Sequence, residues 1–327
     1  MGKAPALYLF AAAIALATSS GARATWPRQL FAPYVYVGGH VHFNLARCEE
    51  ACGQKFFILA FIIANPRGLP AWDGRWAMHT NLYARQIAAV RRRGGNVIAS
   101  FGGAGGKELA RTNVNSSGLA GEYQAIINRY HFNWLDFDVE GAALANGAAN
   151  NKRNAVLAQL QKRDPGIRIS FTVPADPDGL DSDARKLISN AAAAGVAVYC
   201  VNVMTSDFGS QFIKGKSTGT SMARLAIATA AAVHRQCRAL DPQIRIGVTP
   251  MINHNDNRAE TFTRKDARLL VNWAKTKRWV CMLSFWSVNR DARKISKRQN
   301  PATRRRSRQF PFTRIFQRFS SRGGRSG

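Results

Sequence analysis

The stretch Asn133-Trp134-Leu135-Asp136-Phe137-Asp138-Val139-Glu140-Gly141 decides the reading of this chain. Three acids occupy alternate positions of an apolar run that a glycine closes. In a β-strand alternate side chains share a face. Asp136, Asp138 and Glu140 therefore converge on one side, and Leu135, Phe137 and Val139 pack on the other. An isolated buried carboxylate is costly, so three of them on one face of a buried strand point to chemistry. Two plainer readings fit the same residues: a solvated strand end, and an Asp-x-Asp site for a hard cation, which prefers oxygen ligands.

Outward from this stretch, short apolar runs alternate with helix-like segments, the βαβα pattern of a parallel α/β fold. The expected strands are Phe31–Val37, Phe56–Ala64, Asn96–Gly102, Trp134–Asp138, Arg168–Pro174, Val198–Met204, Arg245–Pro250 and Val280–Trp286. Helices are expected at Tyr83–Arg92, Gly118–Tyr130, Asn151–Arg163, Asp183–Ala194, Met222–Cys237 and Arg264–Thr276. Gly94-Gly95, Asp164-Pro165-Gly166 and Asp241-Pro242 serve as the turns back to strands. Eight strands in this length suit a (β/α)8 TIM barrel, although a doubly wound sheet alternates in the same way. In a barrel the reacting groups sit where strands end and βα loops begin.

The acid ladder resembles the signature of the family 18 glycoside hydrolases, the chitinases: Asp-x-x-Asp-x-Asp-x-Glu at the end of the fourth barrel strand. Asp136, Asp138 and Glu140 match its last three acids, and Asn133 stands in place of the first. Phe31-Ala32-Pro33-Tyr34-Val35 looks like the family's first strand, and Ser100-Phe101-Gly102-Gly103 matches its Ser-x-Gly-Gly motif. Val201 to Gly209 is similar to the strand-six segment. Ser284 to Asp291 looks like the strand-eight end of a bacterial-type branch. Five ordered motifs are far more specific than one.

The resemblance implies Glu140 as general acid and Asp138 as the group orienting a substrate acetamide that attacks its own anomeric carbon. Asp136 is expected to share a proton with Asp138, because adjacent like charges do not both ionise cheaply. Trp286 matches the tryptophan under the −1 sugar. Met204 and Asp207 match positions near the acetamido group and the +1 sugar, and Tyr34 and Phe61 are weaker candidates for the pocket wall. Ser100, Gly102 and Gly103 are expected to supply close packing with little chemistry. Ser206 stands where many relatives carry a Tyr, and its short hydroxyl does not reach as far. The implied substrate is chitin or N-acetylglucosamine oligosaccharides, with no cofactor and no metal. A lectin on a dead barrel and an endo-β-N-acetylglucosaminidase remain as alternatives.

The chain opens like a secretory signal peptide over residues 1–24, with Lys3, an apolar core from Ala6 to Ala17 and the Ala22-Arg23-Ala24 cleavage signal, so an extracellular protein is expected. A catalytic barrel over 25–295 and a basic tail over 296–327, partly or wholly disordered, complete the expected organisation. The net charge is +28, and from Ala292 onward there are twelve Lys or Arg and no acid. Chitin is uncharged, so this tail suggests contact with an anionic surface or polymer. It lacks any module for reading nucleic acid. Phe310, Phe312, Phe316 and Phe319 could form a short amphipathic surface element. Cys48 and Cys52 are the best candidate pair among five cysteines. Strand alternation places Cys200 inward and Cys281 outward, so both are expected as buried free thiols. The six histidines show no zinc spacing, and no Gly-x-Ser-x-Gly elbow is present. A monomer is expected.

Overall fold

The computed structural model describes residues 26–39, 41–213, 221–292 and 309–320. The leader over 1–24 and the Arg304-Arg305-Arg306 and Arg308 cluster lie outside the described residues. The barrel strands are β1 (Leu30–Phe31 and Tyr34–Tyr36), β2 (Phe56–Ala64), β3 (Asn96–Gly102), β4 (Trp134–Asp138), β5 (Arg168–Pro174), β6 (Val198–Met204), β7 (Arg245–Thr249) and β8 (Val280–Leu283). Each pairs in parallel with its sequence neighbour. Closure falls on β1, which Pro33 interrupts: Leu30 and Phe31 pair with β8, and Tyr34 to Tyr36 pair with β2. The α/β barrel expected from the alternation is thus the fold. The peptide bonds Ala60–Phe61 and Trp286–Ser287, at the ends of β2 and β8, are cis.

The helices between strands are α1 (Leu45–Cys52), α2 (Ala84–Arg92), α3 (Ser116–Tyr130), α4 (Gly147–Arg163), α5 (Ser182–Ala193), α6 (Met222–Leu240) and α7 (Arg264–Lys275). Their starts follow from short polar caps. Asn115, Asn146 and Asp181 each accept a backbone N–H of the first turn, and Thr263 with Asp266 forms a reciprocal capping box. Inward-facing residues of the strands form a small inner cluster that includes Tyr34, Ala60, Trp134, Cys200 and Cys281. The larger apolar core lies between strands and helices.

Expectations change here at the cysteines and at the tail. The first concerns Cys281, which joins Cys200 in the inner cluster instead of facing outward. The β7–β8 register skips from Val280 to Met282, so Cys281 is the extra residue of a bulge, which breaks the count taken from Trp286. Both remain free thiols; Cys48 and Cys52, the expected pair, are also free, their sulfurs 3.7 Å apart on one face of α1.

The second concerns the tail. Pro311–Phe316 is a helix, α8, which packs on α7 and fills the last place in the helical ring. Its aromatic series is buried core and not a surface element: Phe316 stacks 5.4 Å from Phe31 and lies 5.2 Å from Phe285. Asp291 holds the start of α8, accepting the backbone N–H of Phe312 at 3.0 Å and of Thr313 at 2.7 Å. Gln317 then reaches across to the carbonyl of Cys52 at 3.0 Å. The described residues 309–320 therefore pack as part of the barrel domain, beyond the expected boundary at 295. Phe316→Ala should destabilise the domain by about 3–5 kcal/mol through lost transfer energy and a cavity. Denaturant unfolding measures it, and an unchanged midpoint would place the helix outside the cooperative unit.

Candidate active site

The register of β3, β4 and β5 sets the site. Ser100, Asp136 and Ser170 are aligned across the three strands, and Gly102, Asp138 and Thr172 form the next inward layer. Asp136 is fully buried and surrounded by hydroxyls. One oxygen accepts from Tyr34 at 2.9 Å and Ser100 at 2.7 Å; the other accepts from Ser170 at 2.7 Å and Thr172 at 2.8 Å. A carboxylate whose lone pairs are filled by four hydroxyl donors has none left for a cation, which removes the Asp-x-Asp metal reading at this residue.

The donors are themselves directed. Asn202, next in line on β6, gives its two amide hydrogens to Thr172 at 2.9 Å and Tyr34 at 3.3 Å. Thr249 on β7 donates to the Asn202 carbonyl oxygen at 2.8 Å, which fixes the amide orientation. Tyr34 and Thr172 also touch at 2.8 Å. Two hydroxyl protons therefore serve three edges of the Asp136–Tyr34–Thr172 triangle. Because Asn202 feeds both hydroxyls from outside, both protons are turned onto Asp136, as an ionised carboxylate requires. The Asp136 carboxyl stays above the usual range: burial raises it, and the bonds from Ser170, Ser100, Thr172 and Tyr34 offset only part of the rise.

Asp138 has no such cage. It is 5 % exposed, one oxygen is buried without a partner, and a hydrogen bond joins it to Glu140. Burial first, then the charges of Glu140 and Asp136, push the Asp138 carboxyl well above the usual range. Burial also raises Glu140, and the bond to Asp138 opposes the rise. The hydrogen bond of Asp138 is thus to Glu140. The expected sharing between Asp136 and Asp138 is not what this geometry shows, because hydroxyls occupy Asp136.

Glycines make room for this arrangement. A Cβ on Gly102 would come within 2.1 Å of the Asp138 carbonyl oxygen, and one on Gly103 within 2.6 Å of the Phe61 ring. Both have positive φ, at +95° and +88°, which glycine tolerates. Ser100, expected to be packing alone, is instead a proton donor to Asp136.

Beside the carboxyls, Trp286 is half-buried and stacks on Phe61 with ring centres 5.6 Å apart at 15°. Tyr34 and Tyr36 each lie 5.9 Å from Trp286. Tyr34 is only 1 % exposed with its hydroxyl turned to Asp136, so it supports the site from below and does not line the wall as expected. Met204 ends β6 half-buried at the same end of the barrel, next to half-buried Ser206. Asp207 is exposed in the loop beyond and accepts the backbone N–H of Asn257 at 2.6 Å. Ser170, Thr172, Asn202 and Thr249 were not singled out from sequence. Ser170 and Thr172 alternate on β5 as the acids do on β4, and that periodicity was the available signal. The whole arrangement can give and take a proton next to a flat aromatic surface.

No family model matches the chain. Over 313 residues, 90 % of its length, it is 31 % identical to a probable bifunctional chitinase/lysozyme of Escherichia coli (strain K12). Over 279 residues it is also 31 % identical to endochitinase 11 of Metarhizium anisopliae. It spans 35 % and 53 % of the lengths of these two relatives. Among solved structures, the catalytic domain of a hyperthermophilic chitinase from Pyrococcus furiosus matches with a TM-score of 0.76 and 32 % identity, covering 90 % of this chain and 95 % of that one. A family GH18 chitinase from Chromobacterium violaceum, 15 % identical over 90 % of this chain and 84 % of that one, shares the fold with a TM-score of 0.58. The chain belongs to the family 18 glycoside hydrolases, the chitinase family. The Pyrococcus domain is archaeal, so the match does not single out the bacterial-type branch.

The raised Asp138 carboxyl has a consequence for stability. A group that holds its proton more tightly folded than unfolded stabilises the fold at low pH, and that contribution is lost as pH rises through the folded value. Asp138→Asn does not titrate. It should match wild type near pH ~4, the unfolded carboxylate range, and melt increasingly higher as pH rises toward ~8. Thermal melts across pH check this, and a gap that stays constant with pH would place the proton elsewhere.

Proposed function

We propose that this protein is a secreted chitinase that hydrolyses β-1,4-linked N-acetylglucosamine chains with retention of the anomer. The observation that carries the reading is the Asp138–Glu140 pair: two hydrogen-bonded carboxyls that burial pushes above the usual range, with one Asp138 oxygen lacking a partner. Family membership supports it, as do the structures of the Pyrococcus domain, which include mutants complexed with chito-oligosaccharides.

In this reading the −1 sugar lies against Trp286. Its N-acetyl N–H donates to the free oxygen of Asp138, which orients the acetamide. The carbonyl oxygen of that acetamide forms a bond to the anomeric carbon as the glycosidic bond breaks. Glu140 delivers its proton to the leaving oxygen, then accepts one from the water that opens the oxazolinium intermediate. The negative charge left on the pair stabilises the positive charge that develops on the acetamide. The caged Asp136 stays fixed below. At the usual Tyr position, Ser206 leaves the acetamide carbonyl to be met by water. The Ala-rich leader supports secretion.

Glu140→Gln keeps the shape and removes the acid. It should lower turnover of N-acetyl-chitooligosaccharides by about a hundredfold or more while leaving binding largely intact. Wild-type products should appear first as the β-anomer. A mutant that keeps more than about a tenth of the rate, or α-anomer products, would contradict the reading.

A further inference from the structure

The end of the barrel opposite the carboxyls is built from aromatic and cationic side chains. Trp134 opens β4, Arg168 opens β5 and Arg245 opens β7, while Tyr199 is the bulged second residue of β6. Trp26 closes one side of this end, edge-on to Trp134 at 5.1 Å, with its indole N–H on the Asn133 side chain at 3.1 Å. The other side is left to two guanidiniums. The Cζ atoms of Arg168 and Arg245 each lie 4.3 Å from the centre of the Tyr199 ring. Arg168 also lies 5.4 Å from Trp134.

Two half-buried cations on one phenol ring are an incomplete arrangement. Cation–π contact, with the Tyr199 side chain's hydrogen bond to Arg168, offsets part of their repulsion but supplies no full negative charge. Among the described residues no carboxylate pairs with either guanidinium, and Nη1 of Arg168 is buried without an acceptor. Burial, with Arg245 adding to it, depresses the Arg168 pKa. The surroundings add positive charge. Helices run back from the catalytic end, so their last turns gather here with Arg92, Lys162, Arg163, Arg238 and Lys275. Asp164 and Asp241 on this face accept the backbone N–H groups of Gly166 and Gln243 in their own turns.

We propose that Arg168, Tyr199 and Arg245 form a binding site for a phosphate group, separate from the glycosidase site. A guanidinium presents a planar fork of donors, and a tetrahedral phosphate has acceptors for two forks at once, whereas a carboxylate is satisfied by one. The cationic helix ends around the site suit a phosphate carried on a polymer, and the same chemistry accepts free phosphate.

The test uses the full chain, with inorganic phosphate and a short polyphosphate as probes, by calorimetry and thermal melts against chloride at equal ionic strength. Wild type should bind and melt higher in phosphate. Arg168→Gln and Arg245→Gln should each weaken binding by about tenfold or more, the loss of a charge-assisted hydrogen bond, with chito-oligosaccharide hydrolysis unchanged. Arg245→Glu supplies the missing negative charge in place. It should raise the melting temperature in chloride and abolish the response to phosphate. Tighter binding of polyphosphate would identify a polymer as the source, and equal binding per phosphate the free anion. No preference for phosphate over chloride, or a response that survives in these variants, would overturn the site.

Discussion

One buried carboxyl group, caged by four hydroxyl donors, organises the interior of this barrel. Asp136 sits on β4 with no solvent contact, and a directed relay of donors reaches it across neighbouring strands: Thr249 to Asn202, Asn202 to Tyr34 and Thr172, and these two to the carboxylate. Ser100 and Ser170 complete the cage from β3 and β5. An uncaged carboxylate at this depth would take up a proton, because desolvation penalises the charged form. The cage therefore opposes that uptake and favours the charged form beneath the mouth. It also ties five of the remaining strands, β1, β3, β5, β6 and β7, to β4 through side chains as well as through the backbone ladder.

That charge has a consequence one layer up. Asp138 feels Asp136 below and Glu140 beside it, and it has no hydroxyl cage of its own. The cheapest arrangement is a proton held between Asp138 and Glu140. A general acid and an orienting acceptor thus come from one strand, because alternation aims both at the same face. The glycines at 102 and 103 admit the β4 backbone and the Phe61 ring, and Phe61 in turn backs Trp286. The aromatic floor and the carboxyl pair therefore depend on the same two positions without side chains.

The strands were the most legible part of the sequence. Β-branched and apolar runs such as Phe56–Ala64 and Val198–Met204 coincide with β2 and β6 end to end, because buried parallel strands leave an unbroken apolar signature. The acid ladder was legible for the opposite reason, since acids inside such a run need an explanation. The hydroxyl cage was not legible. Ser170 and Thr172 are ordinary residues for a strand, and their role depends on a register between strands that no single segment encodes. Cys281 was misplaced because a bulge breaks the count, and Tyr34 because a phenol on a strand does not announce which of its ends carries the contact. The last helix was hidden by composition. Arginines dominate its neighbourhood, and the phenylalanines that fill the ring read as a surface stripe until Asp291 is seen to anchor them.

The measurement closest to the central claim is carboxyl-carbon NMR of the labelled aspartates through a pH titration, with signals assigned from Asp136→Asn and Asp138→Asn. The account requires Asp136 to ionise first and stay ionised while the Asp138–Glu140 pair still holds its proton. The Asp138 signal should also move when Glu140 is replaced by Gln. An Asp136 signal that titrates above that of Asp138 would mean the proton lies inside the hydroxyl triangle, and the cage would then hold a neutral acid in place of the charge on which the site depends.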